Sequence, residues 1–379
     1  MMRRFIYMII GKGLKNSALM VLTAMVGFGV VGCGTASQPA STASNGAAAS
    51  NAMVPKAEQP VASTTAKPAE VKEEKKLSGK LVVYSAGPKE LAESIQKGYE
   101  AKTGVKIEMF QGTTGKVLSR MEAEKANPAV DVVILASLPA TQGLKKSGLT
   151  MEYKDAKNAD KLIAEWSDKE GHFFGYSASA LGIGYNTKLV PTPPKEWSDL
   201  TKEEWKDKVN IPDPALSGSA LDFVTGYLST KGDSGWELLE QYKKNGVAMA
   251  GANQEALDPV ITGAKSIVVA GVDYLTYQAK AKGEPIDMIY PASGTVISPR
   301  PASIIKTTKN PDAAKAYIDY LLSDEAQIMI ADTFLLPGRK DIPAKNRPGV
   351  DQIPQMKIDW AWMDANGDAS TKKFTQIFK

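Results

Sequence analysis

Apolar residues along this chain recur with two periods, and the switching between them predicts its elements. Residues 81–86 (LVVYSA) predict a short strand, and in the helix that follows Leu91, Ile95 and Tyr99 fall on one face. Val105, Ile107 and Met109 alternate with polar residues as in a strand; GTTGK then opens a helix carrying Val117, Leu118 and Met121. Residues 130–136 (VDVVILA) read as a buried strand. Strands alternating with helices predict an α/β fold with a largely parallel sheet. Ligands of such sheets sit beyond the carboxyl ends of strands, which singles out three loops, 85–89, 112–116 and 136–139.

The pattern is less regular to about residue 174, a region that holds the lone His172. In EGHFFG it is expected as an exposed turn residue, and with no second histidine or cysteine in the folded body to share a metal it is assigned no chemistry. Residues 180–187 (ALGIGYNT) predict a long strand. Residues 211–223 (IPDPALSGSALDF) pass from a proline-punctuated loop through Ser217-Gly218-Ser219 into an apolar helix, with Ser217 or Ser219 suited to the N-cap. Further helices are expected around 227–228 and 236–242, a strand running into a helix at 266–283, and a second long crossing at 286–305. After Asn310-Pro311, asparagine at the N-cap and proline at the first helical position, a helix carries Tyr317, Ile318, Leu321 and Leu322 on one face. The order predicts one lobe from 78–181 and 297–379 and a second from 182–296, joined by strands crossing near 182–186 and 290–295. Two lobes on two crossing strands form a hinge with a cleft, where ligands bind.

The N-terminus changes the picture of where this body works. Arg3, Arg4, Lys12 and Lys15 precede the apolar run 18–31, which ends at Val30-Val31-Gly32-Cys33. The run is shorter than the roughly 20 apolar residues of a membrane span. Its end resembles a bacterial lipobox, which implies that residues 1–33 form a signal peptide and that Cys33 is acylated as the mature N-terminus. Residues 34–77, rich in Ala, Ser, Thr and Pro, are expected to form a flexible linker that holds the body near a membrane face. The 46 basic and 42 acidic residues of the 379 leave a net charge of +4 with no basic stripe, which argues against nucleic acid as a partner. A single cysteine excludes an intramolecular disulfide. No GxSxG elbow, P-loop or HExxH motif is present, so among enzymes carboxylate chemistry is the alternative left.

These pieces, in this order, resemble the bacterial extracellular solute-binding proteins of ABC importers, in the branch of ferric-ion, thiamine, phosphonate and sugar-phosphate binders. The likeness runs through LVVYSAGPKELAESI, the GTTGK segment, ALGIGYNTKLV, the stretch ending NIPDPALSGSALDF, VVAGVDY and NPDAAKAYIDYLLSDEAQ. The resemblance implies a type 2 Venus-flytrap fold of two α/β lobes that close on a small solute. It implies no catalysis and no cofactor, and a monomer that docks on a membrane permease. Exported and held by its lipid, such a protein works at the outer face of the cytoplasmic membrane or in the periplasm.

Ferric members of the branch hold iron with a histidine after the first strand, a carboxylate after the third and two adjacent tyrosines on the second lobe. Here these positions fall on Gly87-Pro88, on LASLP and on Asp273-Tyr274, with Tyr277 three residues on. A site so short of hard ligands needs an anion or a chelator to complete iron coordination, so an iron chelate stays open as the alternative cargo. An anion suits the residues better. Thr113, Thr114 and Gly115 resemble the phosphate loops of the phosphonate and sugar-phosphate members, Ser217, Gly218 and Ser219 face them from the second lobe, and Ser85 and Ser137 extend the set. Asp273 beside an anion site suggests a zwitterion such as an aminoalkylphosphonate, with Asp273 on its amine and Tyr274 on its carbon chain. The alternative for Asp273 is a cap on the following helix.

Overall fold

The computed structural model describes residues 77–379; the leader with Cys33 and nearly all of the linker expected at 34–77 lie outside the described residues. The first lobe begins with β1 (Lys80–Ser85), α1 (Lys89–Thr103), β2 (Lys106–Gln111), α2 (Thr114–Ala123), β3 (Val132–Ile134) and α3 (Leu138–Lys146). Its three strands are parallel, with Val83 opposite both Met109 and Val132. Helix α1 buries Leu91, Ile95 and Tyr99, the stripe its sequence spaces every four residues. It stops at Gly104, whose left-handed φ of 76° lets its N–H reach the Glu100 carbonyl.

The next strand, β4 (Phe174–Asn186), is 13 residues long. After it come β5 (Val209–Pro212), α4 (Gly218–Lys231), α5 (Asp233–Lys244), β6 (Ala248–Ala250), α6 (Asn253–Ile261), β7 (Ile267–Val272), α7 (Asp273–Ala281) and β8 (Ile286–Ile289). The chain then returns through β9 (Ile297–Ile304), α8 (Pro311–Leu321), α9 (Asp324–Asp332), β10 (Leu336–Pro337) and α10 (Trp360–Phe378). The sheet runs β2-β1-β3-β9-β4-β7-β5-β6, with β8 and β10 also on β4. The first half of β4 pairs antiparallel with β9, and its second half with β7 and β8, so one strand carries the chain between the lobes.

The return crossing, expected as one strand over 286–305, is broken. β8 and β9 both pair with β4 but are separated by a turn in which the Gly294 N–H bonds the Pro291 carbonyl, Gly294 standing at φ 97°. Pro291 has no N–H to give a ladder, and only glycine takes that φ without strain.

Two main cores result. Leu81, Val83, Tyr99, Ile107, Tyr317 and Ile318 belong to one, and Ile211, Phe223, Val224, Tyr242 and Val269 to the other. The sequence grouped all of 297–379 with the first lobe. The C-terminal helix instead buries Phe374 and Phe378 in the second core, stacked on each other at 4.4 Å between centroids. Its apolar stripe fits against α4 and α5, and the same helix also touches α3 of the first lobe, where Lys146 pairs with Asp364.

Candidate functional site

A cavity of about 480 Å³ lies where the carboxyl ends of the strands from both lobes converge. The first lobe contributes the loops after β1 (Gly87, Pro88), β2 (Gly112 to Thr114) and β3 (Ala136). The second contributes the starts of α4 (Ser217 to Ser219), α6 (Ala252, Asn253) and α7 (Tyr274, Leu275). Five of the helices meeting there therefore point their N-termini inward, each presenting N–H groups that have no partner within the helix. This convergence follows from topology, because each parallel strand feeds a helix that starts at the same end of the sheet.

Arg300 completes the cavity from β9, the crossing strand. It is 3% exposed, and its Nε and Nη1 are buried without a hydrogen-bond partner among the described residues. The guanidinium carbon stands 5.8 Å from the centre of the Tyr274 ring. The other buried arginines are matched: Arg339 holds Asp324 and Asp341, and Arg347 holds Asp273. A buried guanidinium without an acceptor is costly in a folded protein, and facing a cavity it is a receptor for an anion. Burial keeps the Tyr274 phenol above its ordinary range, against the opposing pull of Arg300, so it remains a neutral O–H donor at physiological pH.

Of the residues singled out in the sequence, Thr113, Thr114, Ser217, Gly218, Ser219 and Tyr274 line this cavity. The threonine and serine hydroxyls are already engaged in shaping it. Thr113 Oγ1 caps α2 through the Lys116 N–H at 3.4 Å, and Thr114 Oγ1 accepts the Ala136 N–H at 3.1 Å. Ser217 Oγ caps α4 through the Ala220 N–H at 3.2 Å and donates to Asn253 Oδ1 at 3.1 Å, while Asn253 Nδ2 donates to Ser219 Oγ at 2.9 Å. Gly115 stands beside the cavity, where a Cβ would lie 2.7 Å from the Ala215 carbonyl of the other lobe.

Three expected contacts are elsewhere. Ser85 lies beneath the cavity, 1% exposed, and accepts the Gly87 N–H at 3.0 Å. Ser137 caps α3 through the Ala140 N–H and gives its proton to Asp222. Asp273 is fully buried, its carboxylate accepting the Ala180 N–H at 2.8 Å, the Tyr290 hydroxyl at 3.1 Å, the Tyr274 N–H at 2.7 Å and the Arg347 guanidinium. Fully buried, paired with Arg347 and outside the cavity lining, it does not face a ligand amine, and the zwitterion argument that rested on it loses its support. Tyr277 bonds the Tyr290 hydroxyl in the same cluster. His172, expected to be exposed, is half-buried, its Nδ1 3.0 Å from Thr150 Oγ1; the neighbouring Asp168 and Glu170 both hold Lys145.

Arg300, Asn253 and Asp222 were missed in the sequence. The signal for Arg300 is a lone charge inside the apolar strand ISPRPASI, and that for Asp222 a lone acid in the apolar start of α4. Asn253 carries no signal beyond a polar residue at a helix start.

Comparison with known proteins gives this geometry its family. The profile described as bacterial extracellular solute-binding protein matches residues 127–366, more than half of the chain. A putative 2-aminoethylphosphonate-binding periplasmic protein of Salmonella typhimurium is 25% identical over 63% of this chain and 72% of its own length. An Fe(3+)-binding periplasmic protein of Serratia marcescens is 24% identical over 78% of this chain and 88% of its own. The solved periplasmic binding protein AfuA of Actinobacillus pleuropneumoniae, with fructose-6-phosphate bound, superposes with a TM-score of 0.73 at 21% identity, covering 79% of this chain and 98% of that one. Such neighbours establish the type 2 periplasmic binding-protein fold expected from the sequence. Two lobes on a shared strand, a cleft ringed by helix N-termini and the profile match agree: the chain belongs to the bacterial extracellular solute-binding proteins and is the substrate-binding component of an ABC importer.

Proposed function

We propose that this protein, held at the membrane by a lipid on Cys33, captures a small organic phosphate or phosphonate in the interlobe cleft and delivers it to its permease. The observation that carries the reading is Arg300, buried at the cavity without an acceptor and surrounded by helix N-termini. A tetrahedral dianion suits that set, because a guanidinium donates two parallel hydrogen bonds to phosphoryl oxygens and the backbone N–H groups bond the rest. The cavity exceeds what a bare phosphate fills, leaving room for an organic body beside Tyr274 and Asn253. The aminoethylphosphonate-binding relative points to the same chemistry.

An iron cargo has the ferric relative in its favour. The cavity offers it one phenol, on Tyr274, and the exposed carboxylates Glu90 and Glu255, against a buried guanidinium that repels a trivalent cation.

Native mass spectrometry of the purified protein, then a thermal-shift screen with phosphonates, sugar phosphates, thiamine and ferric salts, tests the reading. A bound ligand stabilises the folded protein by RT ln(1 + [L]/Kd), about 2.7 kcal/mol at a hundredfold excess over Kd, and so raises its unfolding temperature. Stabilisation by ferric salts alone, with a coloured protein, refutes the phosphoryl class. Replacing Cys33 by alanine is expected to move the protein from the membrane fraction to the soluble one; unchanged partition refutes the anchor.

A further inference from the structure

Asp222 is a fully buried carboxylate that the ligand site does not use. It projects from α4 in the second lobe. One oxygen accepts from Ser137 Oγ, at the start of α3 in the first lobe, at 2.6 Å; the other accepts from Ser298 Oγ, on the crossing strand β9, at 2.7 Å. It stands at the inner end of a seam where the lobes touch. Farther out, a Cβ on Gly218 would lie 2.6 Å from both the Ala136 carbonyl and Thr114 Oγ1, and one on Gly115 would lie 2.7 Å from the Ala215 carbonyl.

Among the described residues no cation is paired with this carboxylate. On α3, Lys145 is held by Asp168 and Glu170, and Lys146 by Asp364 of α10. On α5, Lys243 bonds the Phe378 carbonyl, and on α10 Lys373 stands over Trp236. The other charges of α5 and α10, Asp233, Glu237, Glu240, Lys244, Asp368 and Lys372, are exposed. β9 brings Arg300, which faces the cavity, and β4 and β7 carry no Asp, Glu, Lys, Arg or His.

We propose that Asp222 is a positioning residue that couples lobe closure to the uptake of a proton, so that acidification favours the closed form that captures solute. Parting the lobes along the seam takes Ser137 away from Asp222 and admits water, returning the carboxyl toward its ordinary pKa of 3.8. With the lobes together, burial outweighs the hydrogen bonds from Ser137, Ser298 and the Leu138 N–H and pushes the group up to about 7. The sign follows by linkage. The closed form holds the proton more tightly, so its advantage is complete below the open-state pKa and is lost as pH rises through about 7. Between those limits the closed-to-open ratio changes by up to about tenfold per pH unit.

The inference rests on closure around the cleft and not on the identity of the solute, and its test uses the ligand-free protein, so it can fail while the phosphoryl reading stands. Small-angle scattering of wild type and Asp222→Asn from pH 5 to 9 reads the compact fraction. The wild type is expected to become more compact as pH falls through about 7. Asp222→Asn, neutral throughout, is expected to lose that dependence. Ser137→Ala removes a donor that favours the charged carboxylate and is expected to move the midpoint to higher pH. It also serves if the asparagine variant does not fold. A wild-type radius of gyration that is flat across this range, an asparagine variant that keeps the wild-type profile, or an unmoved midpoint in Ser137→Ala overturns the proposal.

Discussion

Replacing Arg300 by methionine separates a receptor for anions from a structural arginine, because the two roles predict opposite signs in two measurements. Methionine keeps most of the length of the side chain and removes the charge. In the ligand-free protein the Nε and Nη1 of Arg300 are buried without acceptors, and a buried polar group so left costs about 1–3 kcal/mol. Arg300→Met is therefore expected to stabilise the ligand-free protein by about 1–3 kcal/mol and to raise its unfolding temperature. With ligand the sign reverses. Truncating one partner of a buried, hydrogen-bonded charge pair costs about 2–5 kcal/mol, or roughly 30- to 4,000-fold in Kd at 1.4 kcal/mol per decade. Scanning calorimetry without ligand and titration calorimetry with the phosphate or phosphonate found by the screen read the two effects. A variant that melts lower without ligand and binds within threefold of wild type would refute the reasoning, since it would make Arg300 a packing residue.

Three further outcomes follow from the structure. Arg347→Met leaves the Asp273 carboxylate buried beside Tyr290 without its cation, and is expected to cost about 3–5 kcal/mol in denaturant unfolding, as for other broken buried pairs; a loss below 1 kcal/mol would contradict it. Gly218→Ala puts a methyl 2.6 Å from the Ala136 carbonyl across the lobe seam, so solute affinity should fall at least tenfold while the ligand-free melting temperature holds, and equal affinity would show that the seam opens on binding. Glu100 is held at about 2, chiefly by the Ile107 N–H and then by Lys106. A pKa depressed below the ordinary 4.5 contributes stability above that value which is lost as pH falls toward about 2. Glu100→Gln should thus destabilise at neutral pH and flatten the acid limb of the stability profile, and an unchanged limb would exclude Glu100 as its source.

What the sequence by itself determined is what short-range periodicity encodes. The stripe Leu91, Ile95, Tyr99 dictated α1, the alternation around Ile107 dictated β2, and the order of strands and helices placed the loops after β1, β2 and β3 at one end of a sheet, where they line the cavity. Ser217 as the cap of α4 was legible for the same reason, since capping is settled within three residues. Only the tertiary structure decided which charges have partners. Asp273 reads in sequence as an acid at a strand end, available to a ligand; Arg347, 74 residues away, closes on it and removes it from the site. Asp222 likewise finds Ser137 and Ser298 at separations of 85 and 76 residues. Arg300 becomes a candidate receptor only because no acceptor among the described residues reaches its Nε or Nη1, and α10 joins the second core, while still touching α3 of the first lobe, because the face of α4 it covers exists only once the second lobe has folded. A hydrophobic period fixes which way a side chain points from its own element, whereas burial and pairing of charge depend on which other elements the fold brings against it.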